Sequence, residues 1–589
     1  ELAKDLKIGA SYQYWGFRGR DRNRNPEASY YVRDLVNRFT AIDGNGLVSR
    51  PLPDGDILDL SETFSFSHTF RAQLTYQKYW SEKHRLSFLA GSEIRDLRQE
   101  SNSVRYYGYD DKLGTSAAVD YISRFPYFYN PNSSRSIDPR TSHGGMTDRF
   151  VSYYSNLGYT YANKWDATFS IRKDQSNFFG VATNQRGVPL WSAGLGWTLS
   201  EEPFSSFLNG AYLKWRGSYG YSGNLDKRLS GLLTAAYFTQ PSYAFIPNIP
   251  GAFIQNPPNP ALRWEKVGIW NTGLDFESQS GKYTASLELY SKKGQDLISQ
   301  FEVPASTGFT SVTGNFATTQ TSGLDIVVGI SWLNGALKWK SDLLYSHIKE
   351  EVIQVDVAQS ASNLVSAGFS ALPAPIEGKP FFGIYSFPWA GLNPDNGNPM
   401  GFLDGEPSEN YGAIISALSP DDLVFHGSAR PTDFGSLRNS LSWKGFSLSV
   451  NISYRLGYYY RRRSIDYNTL LRGQQIGHGD FDKRWKEAGD ELFTDVPSMP
   501  VSANSIRNSF YTYSEPLVER GDHIRLQDIR FSYSLDKKGR GDFPFSRVEF
   551  YTYANNLGIL WKASSDKLDP DYQTVAPRTS FATGIKIDF

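Results

Sequence analysis

Cysteine is absent from the 589 residues, so no disulfide framework, thiolate metal site or cysteine nucleophile can form. No run of about 18 apolar residues occurs, which excludes a membrane-spanning helix. Net charge is also missing: 61 Lys+Arg balance 61 Asp+Glu, which removes the electrostatic case for nucleic acid or another polyanion. The seven histidines (His68, His84, His143, His347, His426, His478 and His523) show no HExxH or other metal spacing. Neither a GxSxG elbow nor a phosphate-binding glycine loop is present. The chain is therefore read as a non-enzyme without catalytic, cofactor or metal residues. It is far longer than a single soluble core usually grows, yet no change of composition divides it.

What the chain has in excess is rings. Aromatic residues make up 15% of it while mean hydropathy is only −0.45, so the rings are not part of a generally oily composition. The other strong signal is alternation. Phe446, Leu448, Val450, Ile452 and Tyr454 share one strand face, opposite Ser447, Ser449, Asn451, Ser453 and Arg455. The same pattern covers Phe64 to Tyr76, Tyr283 to Leu289 and Val548 to Ala554. At the end of the chain, Phe581, Thr583, Ile585, Ile587 and Phe589 form one such face.

Short turns at 81–84, 162–164, 278–282, 334–336 and 444–445 alternate with long polar segments. The long segments run roughly from Arg18 to Leu60, Asp96 to Thr147, Gly223 to Arg263, Glu350 to Pro431 and Arg461 to Arg520. Short connections on one side and long ones on the other mark a transmembrane antiparallel β-barrel, with periplasmic turns and extracellular loops. A membrane protein without spanning helices must take this all-β form. About sixteen strands fit the template. Aromatic clusters at strand ends (Tyr12, Tyr14, Trp15 and Phe17; Tyr76, Tyr79 and Trp80; Tyr458, Tyr459 and Tyr460) read as belts at the two membrane interfaces.

Several stretches then carry a resemblance. IRKDQSNFFG, with Arg172, Asp174, Phe179 and Gly180, precedes PLWSAGLGWTLSEEPF, with Pro189, Gly196, Trp197, Ser200, Glu201 and Phe204. LKWRGSYGYSGN (213–224), NPALRWEKVGIWNTGLDF (259–276), RPTDFGSLRNSLSWKGFSLS (430–449), IRLQDIRFSYSL (524–535) and YTYANNLGILWKASSDKLDPD (551–571) follow in order. From about residue 150 onward the chain resembles the SusC/RagA family of TonB-dependent outer-membrane transporters of Bacteroidetes. Read without the family, the same residues serve architecture: a ring anchor and turn around Trp197, Glu201 and Phe204, and bending at Gly217, Gly220 and Gly223.

The resemblance implies an outer-membrane importer of oligosaccharides or oligopeptides. It implies a SusD-like surface lipoprotein as lid and TonB as the source of energy, acting through an N-terminal region. It also implies a plug domain and about 22 strands in all. Residues 1–589 carry no visible plug, and their opening ELAKDLKIGASYQYWGF already reads as a strand without signal-peptide features. The expectation is therefore that they form the C-terminal portion of the barrel, with the plug and first strands elsewhere. A split transporter and a smaller closed barrel are the alternatives. In function the alternatives are a docking subunit of a larger outer-membrane assembly and a passive porin.

Candidate site residues follow from position. Tyr106, Tyr107, Tyr109, Tyr127, Phe128 and Tyr129, with Tyr121 and Phe125 nearby, offer flat faces beside Asp110, Asp111 and Arg124 that suit sugar rings, peptide side chains or a lid protein. Packing on neighbouring loops is the competing reading. Arg461, Arg462 and Arg463, placed just above an expected aromatic belt, are candidates for lipopolysaccharide phosphates, with loop carboxylates as the competing partners. Asp54, Asp56 and Asp59 suit a Ca²⁺ loop less well than an ordinary Asp-Gly turn, and NPDNGNP (393–399) also reads as a turn. The terminal Phe589 resembles the C-terminal signal by which outer-membrane barrels are recognised for insertion.

Overall fold

A computed structural model describes residues 5–177, 189–226, 229, 231–239, 250–309, 311–355, 359–370, 373–473, 477–536, 544–572 and 575–589. Phe179 and Gly180 of the first family motif lie outside the described residues.

Sixteen strands form one sheet in simple chain order, each antiparallel to the next. They are β1 (Leu6–Asn25), β2 (Asp56–Trp80), β3 (His84–Tyr109), β4 (Ser142–Tyr161), β5 (Trp165–Ser176), β6 (Pro189–Thr198), β7 (Tyr212–Asn224) and β8 (Glu265–Glu277). The second half comprises β9 (Tyr283–Glu302), β10 (Ser311–Asn334), β11 (Leu337–Val355), β12 (Asp433–Trp443), β13 (Phe446–Leu456), β14 (His523–Asp536), β15 (Arg547–Lys562) and β16 (Ser580–Asp588). Among the described residues no ladder joins β16 to β1, so the wall has two unpaired edges. No described helix is long and apolar enough to cross a membrane.

The alternation read from the sequence becomes one continuous outer face. Ile8 pairs with Leu74, Leu441 with Leu448, Phe531 with Leu448, and Phe550 with Ile585; Leu74 and Leu441 are half-buried and the others exposed, because lipid, not protein, covers this face. Phe581, Ile585, Ile587 and Phe589 are likewise exposed, as their spacing requires, and Phe589 meets Phe545 edge-on. At the lower rim Trp165 stacks on Trp197 at 4.5 Å, Phe204 meets Trp197 edge-on, and the Trp197 indole N–H donates to Glu202. These contacts fit the ring-anchor reading of that motif. The β7 ladder runs through Gly217, Gly220 and Gly223 without a register shift. A Cβ at Gly220 would lie 2.5 Å from the Trp191 carbonyl, so close strand approach explains this glycine better than the expected bend.

Strand lengths correct the expected loop boundaries. β1 continues past Arg18 to Asn25, β2 starts at Asp56, β3 passes Asp96 to reach Tyr109, and β4 begins at Ser142. A strand of 25 residues such as β2 extends about 80 Å, against an apolar band of about 25 Å. The upper parts of the long strands therefore stand above the membrane as a palisade. Period-2 alternation persists there, but with charged and polar residues that resemble a loop when read as sequence.

The loops fold on this palisade into small cores of their own. Helix α1 (Tyr30–Phe39) is N-capped by the Ser29 hydroxyl, which accepts from the Val32 amide. It buries Val32, Val36 and Phe39 against Leu52, Ile57, Tyr107 and Ile137. A second core gathers α2 (Ala361–Ser370), α3 (Tyr411–Ala417) and, beyond α4 (Tyr467–Leu471), α5 (Ser505–Thr512). Leu364, Val365, Tyr385, Phe387, Ile414 and Phe510 lie at its centre. It unites the β11–β12 and β13–β14 loops.

Candidate functional site

The inward face of the wall is polar, and its charges occur as cross-strand pairs. Arg71 donates to Glu93 (2.5 Å), Lys214 to Asp166 (2.7 Å), Arg216 to Glu288 (2.7 Å) and Arg530 to Glu549 (2.9 Å). Arg95 lies 3.7 Å from the fully buried Asp148 and covers the Phe150 ring. The lumenal surface thus carries both signs in paired form. A recess of about 400 Å³ opens on this face among Gln13, Trp15, Arg71, Glu93 and Arg95. Trp15 therefore belongs to the lumen, whereas its neighbours Tyr12 and Tyr14 point outward as belt residues.

At the extracellular mouth the β15–β16 loop is tied to the wall by a buried ionic clasp. Arg525 donates to both oxygens of Asp569 (2.6 and 2.8 Å) and to Asn556. Asp571 receives Arg455 at 2.8 Å and lies 3.4 Å from the His523 ring. Burial opposes ionisation of Asp571, but the hydrogen bonds and charges of His523 and Arg455 outweigh it and hold its carboxyl down to about 2. Sequence reading noted DKLDPD as a family motif and missed this role. Two carboxylates two residues apart, facing an Arg and a His one strand away, were the available signal.

The candidate aromatics separate into two groups. Tyr107 is 3% exposed, donates its hydroxyl to the Asp138 carbonyl and belongs to the α1 core. Tyr127 packs edge-on against Phe39 at 5.3 Å. Tyr109 accepts from Arg22 on β1. These three are structural, and Tyr106, Tyr107 and Tyr109 belong to the end of β3 rather than to a loop, which corrects the expectation. Tyr106, Phe128 and Tyr129 remain exposed, and Tyr30 of α1 joins them at the surface.

The arginine cluster is also corrected. Arg461 is wholly buried and donates to the carbonyls of Thr512, Ser514 and Tyr385. Arg462 pairs with Asp480 (2.6 Å) and approaches Glu519. Arg463 is exposed at the surface of the same loop assembly. Tyr458 and Tyr460 are each 5% exposed, so the expected belt beneath these arginines is the interior of the loop core. A chain re-entering folded loops after a strand looks in sequence like one crossing the headgroups.

The three aspartates considered for Ca²⁺ serve different partners: Asp54 accepts from Arg50, Asp56 from the Glu27 amide, and Asp59 from Arg105. Among the described residues no acidic or histidine cluster has metal-binding geometry. The 393–399 segment is the turn expected, closed by the Gly397 amide on the Asn393 carbonyl.

An antiparallel wall with an apolar outer band, a paired-charge lumen and folded loops on one side defines an outer-membrane β-barrel. A family profile described as "TonB dependent receptor-like, beta-barrel" matches residues 2–368, and the chain belongs to that family. TonB-dependent receptor P26 of Formosa agariphila is 26% identical over 549 residues, covering 89% of this chain and 52% of its own length. TonB-dependent receptor SusC of Bacteroides thetaiotaomicron is 30% identical over 188 residues, 30% of this chain and 18% of its own. The RagAB peptide transporter superposes with a TM-score of 0.74 at 19% identity, over the whole of this chain and 60% of that one. The SusC/RagA resemblance read from the motifs is thus met in sequence and in fold. The chain spans about half the length of P26.

Proposed function

We propose that the chain forms the C-terminal wall of a SusC-like importer that moves oligosaccharides or oligopeptides across the outer membrane when TonB acts on it. The observation that carries this reading is the wall itself: sixteen strands with two unpaired edges around an ion-paired lumen. Membrane burial does not tolerate such edges. The remaining strands and the plug, with its TonB contact, belong to the part of the protein outside this chain. A SusD-like lipoprotein covers the mouth, and Tyr30, Phe128 and Tyr129 form its contact on the first two loops.

Uptake decides between the readings. Cells lacking the full-length protein are complemented and given fluorescent oligopeptides or oligosaccharides, with and without TonB. Uptake of one class that requires both proteins supports the proposal. Uptake that persists without TonB identifies a passive porin, and uptake that ignores the protein altogether leaves only the docking role. In the same cells Phe128→Ala/Tyr129→Ala is expected to reduce co-purification of the lid lipoprotein.

A further inference from the structure

The outward face of β1 changes character in three steps toward the loops. Ile8 and Ala10 come first, then Tyr12 and Tyr14, then Gly16, and then Arg18, Arg20, Arg22 and Arg24 at every second position. The pairing of Arg18 with Phe64 and of Tyr12 with Phe70 keeps all of these on the face that carries the apolar band of β2. Hydrocarbon, interfacial ring and guanidinium follow each other in the order of an outer-membrane leaflet. Arg18 stands four residues above Tyr14, about 13 Å along the strand and less along the membrane normal once the strand tilts. That is the depth of headgroup phosphates.

The upper and lower rungs differ in their partners. Arg22 and Arg24 both bond Asp111, and Arg24 also approaches Asp56. Arg18 and Arg20 share the Glu62 carboxylate at 3.9 and 3.7 Å, beyond hydrogen-bonding reach, and their side chains stay 69% and 62% exposed. Arg18 is steadied over the Phe64 ring at 5.0 Å. Among the described residues, two cations therefore face outward with one carboxylate between them. Glu100, Arg98 and Asp96 on β3 continue the same face, where Arg98 lies 3.5 Å from Asp96.

We propose that the lower rungs, Arg18 and Arg20, bind the phosphates of lipopolysaccharide in the outer leaflet. Each guanidinium presents a planar pair of N–H donors that matches two phosphate oxygens, and Tyr12 and Tyr14 below pack against the acyl-chain boundary. This is the role that the sequence suggested for Arg461–Arg463, of which the fold buries Arg461 and pairs Arg462 with Asp480 inside the loop core. It does not depend on the cargo or on the lid.

The test uses the intact full-length protein extracted from outer membranes in mild detergent, with retained lipopolysaccharide measured per mole of protein. Arg18→Gln and Arg20→Gln are each expected to lower retention about fivefold, and the pair roughly twenty-five-fold. The heat-shifted mobility of the folded barrel confirms that each variant folds. Delipidated protein is then offered vesicles containing lipopolysaccharide or its dephosphorylated form, with inorganic phosphate as competitor. Binding that needs the lipid phosphate and resists free phosphate supports the proposal. Unchanged retention in the folded double variant overturns it. So does equal binding of dephosphorylated vesicles, or a double variant that changes only the oligomeric state.

Discussion

Replacing Arg525 with Met tests whether the ionic clasp holds the β15–β16 loop to the wall. Arg525 is 4% exposed and bonds both oxygens of Asp569, whose side chain is 10% exposed. Removing the cation leaves Asp569 buried without it, and breaking a buried pair from one side costs about 3–5 kcal/mol. Asp571 retains Arg455 and His523, so the penalty falls on Asp569 and about 3 kcal/mol is the expected loss. Neutralising both partners removes the stranded charge, so Arg525→Met/Asp569→Asn is expected to regain most of that stability. The assay is urea unfolding of the full-length protein in lipid vesicles, with Asp569→Asn completing the double-mutant cycle. Protease nicking within 563–579 reports release of the loop. A coupling energy below about 0.5 kcal/mol, or a double variant as unstable as the Arg525 single, refutes the clasp.

Two further outcomes follow. The His426 ring accepts or shares a hydrogen bond with the buried Ser386 hydroxyl at 2.7 Å, and burial together with the nearby Arg461 cation holds its pKa down from 6.5 to about 4. The unfolded chain takes up that proton first, so stability of the second loop core is full above pH 6.5 and falls as the pH drops toward 4. The loss stays below about 3 kcal/mol because the partly exposed ring is screened by water. Melting of the loops against pH should show this slope in the wild type and not in His426→Phe; identical slopes count against the assignment. Deleting Phe589, which is 92% exposed and contributes little packing, is expected to lower surface levels of the full-length protein without weakening cargo binding by the fraction that assembles. Normal surface labelling of the deletion contradicts an assembly role.

The faces of the membrane strands were legible because period 2 is a local property. Phe446 to Tyr454 and Phe581 to Phe589 point outward wherever the strand is placed, since alternate Cβ atoms leave opposite sides of any pleated chain. The short-turn, long-loop asymmetry and the strand count were legible along the chain as well, and the family through the resemblance of motifs such as LKWRGSYGYSGN and YTYANNLGILWKASSDKLDPD. Loop interiors were not. Tyr107 and Arg461 are buried by residues far away in the chain, Ile137 and α1 in the first case and Tyr385 and Ser514 in the second. No local pattern separates a ring or a guanidinium packed in a loop core from one exposed to headgroups.

Alternation together with the short-turn, long-loop asymmetry determined that this chain is an outer-membrane wall with one oily face, because those features are read along the backbone. The tertiary structure decided which arginines face the leaflet, where the strands end above it, and how Arg525 and Asp569 meet across 44 residues. Those outcomes depend on long-range packing and on burying charge only where a partner arrives, and no single segment encodes its partner.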